Sequence, residues 1–424
     1  MLATDSEMKK ASVIIVTFLV LAVLAISPIV VSGYAATGSS QSSIFAGVAT
    51  PAIAHVDVSN GPTVTCSPSE LCPSLMQTAY GVNLLQGKGV NGTGQSIAIV
   101  DACEQTDIAS DLETFDAQFG LPNPTLNIYY PQGSCTQNYG WGPEISMDVE
   151  WSHVMAPAAT INLVIAQTPN FTDMYGAWKY IFANKLGNVI SNSWTSSKAV
   201  ACRPPVQALL KTAELNNVTV LAANGDSGGW PSGPGYMPAN CVGAIGVGGT
   251  SLDISSTGKY ISESTWTGGG GGYANGTKEP YYQSHVKIYD PLKVLGKPDV
   301  SADANPSTGV WIYDTPDEGG WSCCWGGTSL PTPTWAGFFA DVNQIRASNG
   351  YAPAGFVTPF LYLTVYGVKG SSPYYKADMH DVTKGCNTPL GPQFCAGKGW
   401  SPATGLGSYK TNTLAFTIGD NSTA

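Results

Sequence analysis

Pro205-Val-Gln-Ala-Leu-Leu-Lys-Thr-Ala-Glu-Leu-Asn216, then Val218-Thr-Val-Leu-Ala-Ala223, then Asn224-Gly-Asp226, reads as a helix, a short strand and a turn. The same alternation extends toward the N-terminus. Ser96-Ile-Ala-Ile-Val100 is an apolar run ending at Asp101, and 106–119 reads as a helix. Thr160-Ile-Asn-Leu-Val-Ile165 is a second strand, 173–184 a helix and Asn188-Val-Ile-Ser191 a third strand. Short, nearly continuous apolar runs suit strands covered on both faces of a parallel sheet. Strands alternating with helices argue for an α/β fold: a central, mostly parallel β-sheet flanked by helices on both faces. Residues 266–278 are Gly-rich and read as loop. The chain has no internal repeat and no clear second domain.

Composition narrows the function. Of 424 residues, 43% are hydrophobic, enough for a substantial core. Only 11% are charged, against about 25% in ordinary domains, and the net charge is −10. The basic footprint of a nucleic-acid binder is missing. Few ionisable groups also means little charge change in acid, which limits one cause of acid unfolding.

The N-terminus points to export. Lys9 and Lys10 precede an apolar run from Val13 to Val31. That run is long enough to span a bilayer, with the lysines held on the cytoplasmic side. Small residues from Gly33 to Ala36 suit a signal-peptidase site, so residues 1–36 are a signal peptide or a membrane anchor. Residues 37–65 lack periodicity and read as a linker or extended arm. Ten cysteines, an even number, fit disulfides in an exported chain, with Cys66–Cys72 and Cys386–Cys395 as candidate local loops. Five Asn-x-Ser/Thr sequons are compatible with a glycosylated surface. The expected location is extracellular or the outer face of the membrane, with a possible tether through 13–31.

Three segments carry candidate chemistry. In Gly326-Gly-Thr-Ser329-Leu-Pro-Thr-Pro-Thr-Trp335, Thr332 and Pro333 read as N-cap and first helical residue. Ser329 then lies on a turn just before a helix N-terminus, where amides and the positive helix end favour an oxyanion. In Pro143-Glu144-Ile-Ser-Met-Asp148, the two carboxylates are at i and i+4 and share a helix face. A solvated acidic face would look the same. Sharing a proton would instead give a base for the acid range. Asp226, between Gly225 and Ser227-Gly228, follows a buried strand, where ligand and catalytic groups of α/β sheets gather. Protonated, it can donate to an oxyanion; a polar turn is its plain alternative.

Together these segments resemble the sedolisins, serine-carboxyl peptidases with a subtilisin-like fold. The resemblance covers residues 66–410 and leaves 411–424 as a tail. Its landmarks are Glu144-x-x-x-Asp148, Val149-Glu-Trp-Ser-His-Val-Met-Ala-Pro157, Asn224-Gly-Asp226-Ser-Gly and Gly327-Thr-Ser329. Lys297-Pro-Asp-Val-Ser-Ala-Asp303 and Gly399-Trp-Ser-Pro-Ala-Thr-Gly-Leu-Gly407 also match. The resemblance implies an endopeptidase with Ser329 as nucleophile, Glu144 as base, Asp148 orienting Glu144 and Asp226 as the oxyanion acid. Asp101 and Trp194 resemble positions that support the carboxylates. It further implies a calcium site at Asp381, Ser401 and the carbonyls of Val382, Gly397 and Gly399. Ser401 stands where relatives usually carry Asp, and its hydroxyl is a weaker ligand. Relatives commonly carry a long pro-domain, whereas only about 30 residues separate the apolar run from the matching region here, so activation by pro-domain removal is not expected. Protein or peptide substrates and a monomer are implied.

Two rivals remain open in the sequence. Asp101, His153 and Ser329 occur in the order of a subtilisin-type triad. A surface-binding protein that keeps a peptidase fold without catalysis is the other.

Overall fold

The computed structural model describes residues 47–56, 63–103, 105–135, 140–230, 233–288, 292–388, 391 and 394–424. The apolar run 13–31 and the small residues at 33–36 lie outside the described residues. No helix among the described residues is long and apolar enough to cross a membrane.

Eight strands form the central sheet. Seven follow the order Tyr260–Thr265, Ala244–Ile254, Thr219–Ala223, Val189–Ser191, Ser96–Ala102, Thr160–Ala166, Leu126–Tyr129, and Val300–Asp303 also pairs with Ala244–Ile254. All pairings are parallel except that of Tyr260–Thr265. Ile97 through Ala102 are all buried, because helices cover both faces. Gly142–Met155 packs with Pro331–Ser348, and Phe171–Asn184 with Pro204–Leu215. This is the mostly parallel, subtilisin-like α/β sheet expected, and the strand and helix bounds agree with the sequence reading to within two residues.

Four details depart from expectation. First, the segment 266–278 is not all loop, since Gly271–Lys278 is a strand between Gly229–Trp230 and Val294–Lys297. Its glycines serve close approach rather than flexibility. A Cβ on Gly271 would lie 2.1 Å from the Pro402 carbonyl oxygen, and one on Gly270 2.1 Å from that of Asn224.

Second, the helix after Ser329 begins at Pro331 instead of Pro333. Pro331 tolerates the first turn because its missing N–H would be unpaired there. The Thr332 hydroxyl donates to the Thr328 carbonyl at 2.7 Å instead of capping. Ser329 is thereby brought closer to the helix end than the sequence implied.

Third, the tail contains the helix Thr411–Gly419, which packs on Pro331–Ser348. Arg346 Nη1 donates to the carbonyls of Ile418 at 3.1 Å and Asn421 at 2.7 Å, tying the end of the chain to the core.

Fourth, the arm is paired where it is described. Ala49–Pro51 runs antiparallel to Trp194–Ser196, and Ala54–His55 to Trp325–Gly326.

Disulfides join Cys66–Cys72, Cys386–Cys395 and Cys202–Cys241, the last two partners lying 39 residues apart. Cys103, Cys135, Cys323 and Cys324 are not in disulfides.

Candidate active site

All fourteen residues of the Gly142–Met155 helix are buried. The acidic pair therefore does not form a solvated face. Pro143 starts the helix, and Glu144 and Asp148, separated by about one turn, point the same way. The Pro331–Ser348 helix packs alongside and carries Ser329 at its N-terminal edge. Ser329 Oγ donates to Glu144 Oε2 at 2.9 Å and also lies 2.9 Å from the Ser193 carbonyl oxygen. The Ser193 hydroxyl donates to Asp148 Oδ1 at 2.6 Å.

A third carboxyl group completes the cluster. Asp101, next to the end of its strand, is fully buried, and neither of its oxygens has a hydrogen-bond partner. Glu144 Oε1 and Asp148 Oδ2 are in the same position. Buried carboxylates without donors are costly unless protons lie between them. The electrostatics agree. Burial, then the charges of Asp148 and Asp101, hold Glu144 well above the usual carboxylate range. Burial, then Asp101, does the same to Asp148, and burial alone lifts Asp101 to about 7. Three buried acids that interact through their charges titrate as a unit.

Asp226 stands on the other side of Ser329. Its Oδ1 accepts from the Thr328 amide and hydroxyl, each at 2.8 Å, and the Thr328 hydroxyl oxygen also accepts from the Gly225 amide at 3.0 Å. Burial lifts Asp226 to about 7, against the opposing pull of the Thr328 donors. Its Oδ2 is shielded from solvent and has no hydrogen-bond partner, so a proton there is free to donate. Asp226→Asn keeps a donor at this point, whereas Asp226→Ala loses it. The expected result is a roughly 10²–10³-fold loss of kcat for alanine, a smaller loss for asparagine, and asparagine activity that persists to higher pH. Equal losses in the two variants, measured on one peptide, would remove the donor role.

The cleft holds the chain's own arm. The Ala52 amide donates to the Ser193 carbonyl at 3.1 Å, and the Ser329 amide donates to the Ala52 carbonyl at 2.9 Å. Gly327, at φ +85°, has no side chain because a Cβ there would lie 2.3 Å from Ala52 O and 2.4 Å from Asp226 Oδ2. The Ala52 carbonyl oxygen thus accepts from one candidate oxyanion donor, the Ser329 amide, and it and Asp226 Oδ2 both border the space a Gly327 Cβ would take. A cavity of about 540 Å³ between Tyr260, Lys376 and Lys398 includes none of the catalytic candidates. Residues 49–55 run past Ser193 and Ser329, paired with the strands on either side.

The rival triad does not assemble. His153 is nine residues beyond Glu144, on the opposite side of the helix, and its Nε2 is 3.2 Å from Asp116 Oδ1. The Trp194 indole N–H donates to the Val100 carbonyl at 2.9 Å and braces the strand that ends at Asp101. Ser193 and Thr328 carry contacts the sequence reading did not assign.

The calcium set expected at Asp381, Val382, Gly397, Gly399 and Ser401 does not fit a resident ion. Asp381 Oδ1 accepts from the Tyr375 hydroxyl at 3.1 Å and the Gly399 amide at 3.0 Å. Ser401 Oγ is engaged by Thr404, with its hydroxyl at 3.0 Å and its amide at 3.2 Å. Lys384, Lys398 and Lys410 line the same cavity as Asp381. One carboxylate already holding two donors, among lysines, is a poor cage for a hard dication. Among the described residues, no three His, Cys, Asp or Glu side chains are grouped to hold a metal.

Comparison with known proteins places this geometry. The profile described as the subtilase family matches residues 135–357. Kumamolisin of Bacillus sp. (strain MN-32) is 30% identical over 348 residues, covering 76% of this chain and 59% of that protein. Tripeptidyl-peptidase 1 of Bos taurus is 27% identical over 389 residues, covering 82% of this chain and 64% of that protein. The chain therefore spans less than two-thirds of either relative. The solved structure of Pseudomonas sedolisin (serine-carboxyl proteinase) complexed with two molecules of pseudo-iodotyrostatin matches with TM-score 0.68 and 24% identity. It covers 84% of this chain and all of that one, and supports the fold.

Proposed function

The chain belongs to the subtilase family, in its sedolisin branch, and from that premise we propose that it is an acid serine-carboxyl endopeptidase. The observation that carries this reading is the Ser329 Oγ to Glu144 Oε2 hydrogen bond at 2.9 Å, inside a cluster of buried acids.

Glu144 takes the Ser329 proton as Oγ attacks the substrate carbonyl carbon. Asp148 and Asp101 hold the shared protons that set the basicity of Glu144. The oxyanion is held by the Ser329 amide and by the proton on Asp226. Glu144 then returns the proton to the leaving amine, the C–N bond breaks, and water hydrolyses the ester on Ser329. One negative charge shared by Glu144, Asp148 and Asp101 leaves Glu144 Oε2 able to accept the Ser329 proton while Asp226 keeps its own, so the useful pH is acidic. Three disulfides support an exported protein, and unfolded proteins are the substrates.

The arm has a place in this chemistry. With the Ala52 carbonyl beside the Ser329 amide, the bond in register is Ala52–Ile53. Acid incubation of the full chain is expected to digest acid-unfolded casein and to expose a new N-terminus at Ile53, read by N-terminal sequencing. Casein left intact throughout the range from about pH 2 to pH 7 would end the peptidase reading.

A further inference from the structure

Beyond Ala52 the arm rests on a second surface, on the side where a leaving peptide would lie. Ala54 pairs with Gly326 and His55 with Trp325, and the Val56 amide donates to the Cys324 carbonyl at 3.2 Å. The His55 ring lies flat on the Trp325 indole, with centroids 4.1 Å apart and planes 11° from parallel. His55 Nε2 is 2.9 Å from the Cys323 carbonyl oxygen, which makes that nitrogen the donor.

Trp325 is held by contacts other than the His55 ring. Its indole N–H donates to Ser322 Oγ at 3.0 Å, and its side chain belongs to the main hydrophobic core. Among the described residues, His55 is the one ring stacked on it. A rigid π face beside a backbone acceptor sets two demands. The guest must be planar, and it must carry an N–H near its own plane. Imidazole meets both, and a protonated imidazole adds a cation–π attraction. A phenol ring meets only the first demand, and a methyl group neither. Because the face and the acceptor are both held by one strand, recognition costs little ordering on the protein side.

We propose that Trp325 is a specificity-determining residue that selects a planar, N–H-bearing side chain, histidine foremost, at the third residue past the scissile bond. This rests on Ser329 as nucleophile, which puts the cut between Ala52 and Ile53 and makes His55 the third residue beyond it. Trp325 touches the substrate side chain and takes no part in bond making.

The test uses peptides with the sequence of residues 47–56, carrying His, Tyr or Ala at position 55, and the acid-treated full chain as enzyme. In the wild type, kcat/KM is expected to be roughly fivefold higher for the His peptide than for the Ala peptide, with Tyr between. Trp325→Ala and the bulkier Trp325→Leu should bring the His-to-Ala ratio close to one, and Trp325→Phe should keep most of it. Equal kcat/KM for the three peptides, or a ratio that survives in both Trp325→Ala and Trp325→Leu, overturns the inference. Casein digested while all three peptides stay uncut overturns it too, and leaves the peptidase reading standing. Neither casein nor peptide cut would instead remove the reading on which the inference depends.

Discussion

Ser329→Ala is expected to lower kcat by roughly 10⁴-fold or more while leaving the fold intact. Among the described residues, the Ser329 hydroxyl is the one that donates to Glu144. The lost hydroxyl leaves Glu144 Oε2 short of its donor, while the Ser193 carbonyl still accepts from the Ala52 amide. That costs on the order of 1–3 kcal/mol of stability, too little to unfold a domain of this size. Residual hydrolysis would come from the amide at position 329 and from Asp226, which do not depend on the hydroxyl. The same variant should keep the Ala52–Ile53 bond whole, since that cut needs the same nucleophile. Kinetics on acid-unfolded casein, with the intact mass of the protein as a second readout, give the answer. Wild-type turnover in Ser329→Ala would remove the serine from the mechanism.

The second large effect is on stability, and its sign is unusual for carboxylic acids. Asp101 and Asp226 stand at about 7 in the folded protein, against an ordinary value of 3.8. Between those values the folded chain binds more protons than the unfolded chain. Stability therefore falls as pH rises through that window. Below about 3.8 both states are protonated, and the full contribution is present. Asp148 is raised in the same direction and reinforces the trend. The total is on the order of several kcal/mol, since a tenfold change in a group's acidity on folding corresponds to about 1.4 kcal/mol. Thermal midpoints taken at constant ionic strength should drop steadily from about pH 4 to about pH 7. Asp101→Asn should flatten the slope, because an amide has no proton to lose. A midpoint that climbs over the same range would show that these acids are ionised when folded.

Much of this is legible in the sequence itself. Strands such as Ser96–Val100 announce themselves because burial on both faces demands an unbroken apolar run. Glu144 and Asp148 are legible because helical spacing fixes their shared direction whatever lies around them. Ser193 and Thr328 are not, since their contacts depend on which strand ends meet in space. The glycines of 266–278 mislead, because glycine marks both flexibility and lack of room, and only the Pro402 and Asn224 carbonyls tell which. The arm is hidden for another reason. Its strands are two and three residues long, too short for a period, and their partners lie more than a hundred residues away. The helix Thr411–Gly419 escapes notice although Leu414, Ala415 and Ile418 share its buried face, because nine residues barely establish the spacing.

The most direct test of a carboxylate base is the pH–rate profile of the wild-type chain on acid-unfolded casein. The cluster of Glu144, Asp148 and Asp101, with a protonated Asp226, predicts hydrolysis in acid that declines as pH rises toward about 7, where Asp226 gives up its proton. Hydrolysis that instead peaks at or above neutral pH would contradict the carboxylate mechanism and require a base other than Glu144.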